Sequence, residues 1–348
     1  MKRSEHLLYL MEDVRIPMHD PHAPIDWKQW YHFVLIHPPT GFRLLANVSL
    51  SGIPGNGQVI VTVLIVDPAT DSQSEKTYGF CNDWEWETGM VKRVPIRTEA
   101  PGFRCVIDGG NSIFEVEDKN SLIKLKFSGK AKTDPVLIPE FSPFGSGFIG
   151  WGLLPSVEIS GMLEIGNRQI QIDSDWYCYH DQNYGRFHWG EDLGWIWFVI
   201  NSRSDSGPEL SLVLHRGNNR NQTNCGAPHL FIYEDNKLRK MFMGNAIRLT
   251  WHWNTIPTHP PRLPGVMAPL FSDKTQCQPL GMELYAEDEK DSISLFLEST
   301  SLTELILADN QQRQYTFIEE MTGKATVEAH LSDQLHQKSG YFYAEFVQ

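Results

Sequence analysis

The sequence of 348 residues contains no run of eighteen apolar residues, so it offers no membrane-spanning helix. It has no cluster of lysine and arginine and carries a formal charge of −13. That speaks against a nucleic-acid partner, because phosphate contacts need grouped cations. GxSxG elbows and P-loops are missing, as is any glycine-rich turn opening a nucleotide-binding helix, which leaves serine-hydrolase, NTPase and dehydrogenase chemistry without support. The five cysteines, Cys81, Cys105, Cys178, Cys225 and Cys277, are odd in number and form no CxxC pair; reduced thiols fit better than a disulfide framework. The opening MKRSEHLLYLMEDVRIPMHD breaks its short apolar stretch at Glu12 and Asp13, too soon for a secretory leader. A cytoplasmic protein is expected.

Amphipathic helices are nearly absent too, apart from a turn or two within residues 4–13. Short apolar or alternating runs bounded by turn residues recur instead, among them QVIVTVLIVD, SLIKLKFS, SVEISGMLEIGNRQIQI, WIWFVI and YFYAEF. They predict strands. Ile165-Gly166-Asn167-Arg168 and Glu234-Asp235-Asn236-Lys237 carry hairpin signals, so the chain reads as all-β and antiparallel, in barrels or sandwiches. Trp30 to Leu35, a Pro/Gly turn and the strand Leu44 to Leu50 are echoed by Trp195 to Ile200, a Ser/Gly/Pro turn and the strand Leu210 to Leu214. If each opens a β unit, the domains are residues 1–189 and 190–348.

The boundary falls in DSDWYCYHDQNYGRFHWGEDLGWIW, residues 173–197, which holds five acids, four Trp, three Tyr and two His. As a strand, it would turn Trp176, Cys178 and His180 to one face and Asp175, Tyr177, Tyr179 and Asp181 to the other. An Asp among phenols and indoles is partly desolvated, and so able to keep a proton near neutral pH; the plainer reading makes Asp175 and Asp181 turn or cap residues. Gln182-Asn183-Tyr184-Gly185 reads as a turn leaving the strand, with Gly185 or Asn183 at positive φ. His180 and His188 lack a metal-binding spacing. Trp189, Trp195 and Trp197 fit either a β core or a pocket wall, as do Trp84, Trp86, Trp251 and Trp253. Glu319, Glu320 and Glu345 end apolar runs, where an inward acid needs a partner or a role.

The run LLPSVEISGMLEIGNRQIQIDSDWYCYHDQNYG, preceded by GFIGWG and followed by Gly194-Trp195-Ile196-Trp197, resembles the carotenoid 1,2-hydratase and AttH-like family of lipocalin-like proteins. The family's strand leads into a Tyr-His-Asp-x-Asn-x-Gly motif, and its Gly-Tyr-x-x-Glu ending is similar to Gly340 to Glu345. The resemblance implies two lipocalin-like antiparallel β-barrel or sandwich domains, an apolar pocket near their junction and no cofactor. It also implies hydration or cyclisation of a hydrophobic polyene of terpenoid or polyketide origin. It places the catalytic acid on Asp181 with Tyr179, His180 and Asn183 beside it; the candidate substrate-binding residues are Trp176, Tyr184, Trp189, Trp195, Trp197, Glu319 and Tyr341, and no metal is expected. Two departures stand out: Tyr184 occupies a position the hydratases give to Trp, and Phe317 to Glu320 matches the family's Tyr-Trp-Glu-Gly loosely. A pericyclase of the decalin-forming, Diels–Alderase type and a non-catalytic carrier of an apolar ligand are the alternatives. A carbohydrate-active sandwich would need a second acid about 5–10 Å from Asp181. The expected partner is a hydrophobic small molecule. Peripheral membrane contact and the oligomeric state stay open.

Overall fold

The computed structural model describes residues 3–16, 26–53, 56–68, 72–80, 96–100, 102–118, 122–202, 209–254, 278–309 and 314–348; Cys81, Trp84, Trp86 and Cys277 lie outside them. The chain forms two compact units, Met1–Phe187 and His188–Gln348. Unit 1 contains α1 (Arg3–Glu12) and thirteen strands: β1 (Trp27–His37), β2 (Phe42–Ile53), β3 (Asn56–Asp67), β4 (Ser72–Phe80), β5 (Ile96–Ala100), β6 (Phe103–Asp108), β7 (Asn111–Asp118), β8 (Ile123–Ala131), β9 (Val136–Phe144), β10 (Gly147–Leu154), β11 (Val157–Ile165), β12 (Arg168–Ile172) and β13 (Tyr177–Arg186). Unit 2 contains β14 (Gly194–Ser202), β15 (Leu210–Asn218), β16 (His229–Glu234), β17 (Lys237–Met243), β18 (Ile247–Asn254), β19 (Gln278–Glu287), β20 (Ser292–Asp309), β21 (Gln314–Leu331) and β22 (Gln334–Val347). The fold is all-β and lipocalin-like. Among the described residues no helix is long and apolar enough to cross a membrane.

Unit 1 pairs a seven-stranded sheet, ordered β4-β3-β2-β1-β13-β10-β9, with a six-stranded sheet, ordered β12-β11-β8-β7-β6-β5; unit 2 is one nine-stranded sheet, ordered β17-β16-β15-β14-β22-β21-β20-β19-β18. In both units the first strand lies between the second and the last, β1 between β2 and β13, and β14 between β15 and β22. This is the structural form of the sequence repeat. The hairpin signals hold as well: β11 and β12 turn at Gly166, with φ +58°, and β16 and β17 turn at Asp235 and Asn236, with φ +47° and +63°. Two positive φ values in succession are what a two-residue turn needs to match strand twist.

Alternation sets which faces meet. Along β8 buried and exposed positions alternate from Ile123 to Lys130, so Leu125 and Phe127 reach the core while Lys124 and Lys126 stay in solvent. The unit 1 core is continuous across both sheets: Phe33, Phe127, Phe114 and Phe103 stack in series with centroids 5.5, 5.3 and 5.8 Å apart. Such ring pairs each add about 0.5–1.5 kcal/mol beyond the area they bury. Met11, Val14 and Ile16 from α1 and its tail join the same core.

β13 and β14 differ from β8: nearly every residue in both is buried. Two buried faces remove the inside-outside alternation that marks a surface strand. The sequence from Gly145 to Gly150 fits the spacing GxGxxG, but it turns from β9 into β10 and opens a strand. No helix follows to receive a phosphate.

Candidate active site

β13 runs between β1 and β10, where Asp181 faces His32 on one side and Leu153 on the other. One face of β13 presents Cys178 to the unit 1 core, together with Phe33, Leu35 and Leu154 on the neighbouring strands. His180, Gln182 and Tyr184 share that face. The opposite face carries Tyr177, Tyr179, Asp181 and Asn183, alongside His32, Val34 and Trp151. These residues are also buried, although they lie outside the core cluster.

On that second face the carboxylate of Asp181 is 4% exposed. The Tyr179 hydroxyl donates to its Oδ2 at 2.9 Å, and the Asn183 amide donates to its Oδ1 at 2.8 Å. The side chain of Trp151, opposite Asn183 on β10, supplies a third hydrogen bond. All three donors favour the carboxylate, yet burial outweighs them and pushes the Asp181 pKa up to about 7. Across the strand, burial first and then the neighbouring His180 lower the His32 pKa to about 3. His32 is therefore a neutral imidazole at pH 7, and does not hold Asp181 ionised as a cation would. The result is a carboxyl group shared between acid and base forms near neutrality, the condition that suits proton transfer to a substrate.

The other expected residues separate from this group. His180 points to the core face, stacked on Phe33 at 4.1 Å, with Nδ1 at 3.0 Å from the His32 carbonyl. Burial lowers its pKa to about 4. Because a carbonyl only accepts, Nδ1 carries the proton and the ring is neutral. Tyr184 is on the core face as well, with the Arg15 guanidinium 5.6 Å from its ring. Trp176 precedes β13, in the unit 1 core, where it packs on His37 and Phe42 and its indole donates to the Gln171 carbonyl at 3.0 Å. Asp175 takes the plainer of its two readings: it lies exposed in the turn before the strand, where its backbone N–H donates to Asp173 Oδ1 at 3.0 Å.

Gln182-Asn183-Tyr184-Gly185 also departs from expectation, since all four residues continue β13. Gly185 is needed for close approach: a Cβ there would sit 2.3 Å from the Phe148 carbonyl oxygen of β10.

Trp189, Trp195, Trp197, Glu319 and Tyr341 belong to unit 2. The Trp195 indole donates to Glu345 at 2.6 Å and lies 6.5 Å from the half-buried Trp189. Trp197 lies 6.3 Å from Tyr343. Glu319 is fully buried on β21 opposite Phe346, and Tyr341 is half-buried on β22 opposite Asn201. Among the described residues no three His, Cys, Asp or Glu side chains group to hold a metal ion.

Trp151 is the residue the sequence reading missed. Its signal was the glycine pair in Gly150-Trp151-Gly152, which lets β10 pack tightly: a Cβ at Gly150 would fall 2.4 Å from the Tyr184 ring. Thirty positions separate Trp151 from Asp181, and only the β10–β13 pairing brings them together.

Neither a protein-family model nor a curated protein sequence matches the chain. Solved structures do. A putative AttH from Nitrosomonas europaea matches with a TM-score of 0.59 at 14% identity, over 96% of each chain. Kievitone hydratase from Nectria haematococca matches with a TM-score of 0.55 at 14% identity, over 96% of this chain and 94% of that one. CghA with Sch210972 matches with a TM-score of 0.61 at 9% identity, over 97% and 94%. The chain thus has the all-β, lipocalin-like fold of the AttH, kievitone hydratase and CghA structures, the fold of the family its Tyr-His-Asp-Gln-Asn motif resembles.

Proposed function

We propose that the protein is an enzyme of the lyase or isomerase type that protonates a hydrophobic polyene of terpenoid or polyketide origin, leading to hydration or cyclisation without a cofactor. The observation that carries this reading is Asp181: 4% exposed, held by three hydrogen-bond donors, and still poised near neutrality. In the acid form it gives its proton to a carbon of the double bond. The cation then loses a proton, is captured by water, or is attacked by a second double bond of the chain. Tyr179, Asn183 and Trp151 fix the carboxyl direction and stabilise the carboxylate left after transfer. Proton transfer of this kind contributes on the order of 10²–10⁴-fold; the rest comes from holding the chain in a reactive conformation. His180 takes no direct part, because it faces the core. We place the protein in the cytoplasm, in keeping with the free thiols of Cys105, Cys178 and Cys225 among the described residues.

Likeness to kievitone hydratase supports the hydration branch and likeness to CghA, a Diels–Alderase, supports a second reading as a pericyclase. A cycloaddition needs no proton on carbon. Turnover in D₂O separates the two: deuterium in a carbon position of the product supports the acid reading, and its absence supports the pericyclase. Asp181→Asn should abolish turnover and leave the protein folded; full activity in that variant would remove the acid from the mechanism. Unchanged recovery of a bound ligand, with no product under any condition, would favour a carrier.

A further inference from the structure

Unit 2 carries a row of side chains that the Asp181 chemistry does not use. On β15, β16 and β17, His215 is the direct partner of His229, and His229 is that of Met243. Direct partners share a face, with Cβ atoms about 4.5–5.5 Å apart. That face is turned away from the unit 2 core, because the adjacent Leu214, Leu230 and Phe242 all belong to the core. β17 is the edge of the nine-stranded sheet, so the row runs from two half-buried imidazoles to a thioether that is 48% exposed. His229 Nδ1 is buried and meets no hydrogen-bond partner among the described residues.

Any one of the three residues alone would be ordinary strand surface. Together they set two imidazoles beside a thioether, with one ring nitrogen unmatched at a cost that a ligand bond would remove. Burial, and then the charge of His229, lower the His215 pKa to about 4, and burial lowers that of His229, so both rings are neutral and need shed no proton to bind an ion. A zinc or calcium site would need a further nitrogen, thiolate or carboxylate. A thioether instead selects a soft ion, and imidazole accepts the same one. The chain's formal charge of −13 favours a cation. We propose that His215, His229 and Met243 form a binding site for Cu(I) at the edge of unit 2, with β15, β16 and β17 supplying one ligand each. The site is independent of the acid chemistry of Asp181.

The test follows the methionine methyl and histidine ring resonances of the intact protein during anaerobic titration with Cu(I), with Met243 assigned through Met243→Leu. The Met243 methyl and the His215 and His229 ring protons are expected to shift together and saturate with a common midpoint, while the methyls of Met282 and Met321 in the core stay in place. Met243→Leu, which keeps the volume and removes the sulfur, should weaken the binding read at the two rings by about tenfold or more. His229→Gln should abolish the Met243 shift; circular dichroism checks its fold, and His215→Gln serves as a second variant. Asp181→Asn should bind as the wild type does, which keeps this proposal separable from the acid reading. Cu(I) taken up by folded wild type with the Met243 methyl unmoved, as the exposed Cys225 thiol alone would take it, would overturn the proposal. So would an absence of binding in wild type, or an unchanged affinity in Met243→Leu and His229→Gln.

Discussion

Replacing Asp181 by Asn should stabilise the protein at alkaline pH and do little in mild acid. In the unfolded chain an Asp titrates near 3.9, whereas in the folded protein burial holds Asp181 at about 7. Between those values the native state keeps a proton that the unfolded state has released, so this residue makes stability fall as pH rises. At about 1.4 kcal/mol per pH unit, it costs about 1.5 kcal/mol near pH 5 and about 4 kcal/mol above pH 7. The Asn variant lacks this dependence. Its amide offers one acceptor oxygen where the carboxylate offers two, at a cost of about 1–2 kcal/mol that is the same at every pH. Urea denaturation of both proteins at about pH 5 and about pH 8 should therefore show the variant gaining about 3 kcal/mol on the wild type between the two. His32 and His180 titrate abnormally too, but they are common to both proteins and drop out of the difference. Parallel pH profiles would be the contrary result, because they would mean Asp181 is ionised in the folded state at pH 5 as it is in the unfolded chain.

Further consequences concern the neighbours. His32 and His180, held neutral by burial with values near 3 and 4, bind protons in the unfolded chain below about pH 6.5 but not in the native state. Each should therefore lower stability by up to about 1.4 kcal/mol per unit as pH falls from 6.5 toward 4; acid denaturation checks this, and a flat profile in the Asp181→Asn background would contradict it. Tyr179→Phe removes a bond that lowers the Asp181 pKa, so the alkaline limb of the pH–rate profile should move upward, and a downward move would be inconsistent. Gly185→Ala should cost about 1–3 kcal/mol or more through contact with Phe148. Gly185→Asn should be worse than Ala, the reverse of what a positive-φ position would show in thermal denaturation.

The fold was legible where one face of a strand meets water. β8 spells its burial in alternating letters, and Asp235-Asn236 announces its own turn. β13 was harder. With both faces buried, its polar residues cannot be told from turn residues by pattern, and Asn183 and Gly185 carry local turn preferences that hydrogen bonding to β1 and β10 overrides. The pairing of Tyr179 with Asp181 on one face followed from period two alone, whereas Asn183, read as a turn residue, joins them because β13 continues to Arg186. That His180 faces the core follows from the same rule, although the motif groups it with Asp181. Trp151 needed the strand order, since β10 and β13 are separated in sequence by a hairpin of the other sheet.

Asp181 should hold a proton near neutral pH. Infrared difference spectroscopy of the folded protein across a pH titration, with Asp181→Asn as the subtraction reference, reads that proton through the carbonyl stretch of the acid form. A band belonging to Asp181 that disappears with a midpoint near 7 is the expected result. A midpoint at about 4, the value of an ordinary carboxyl group, would contradict it.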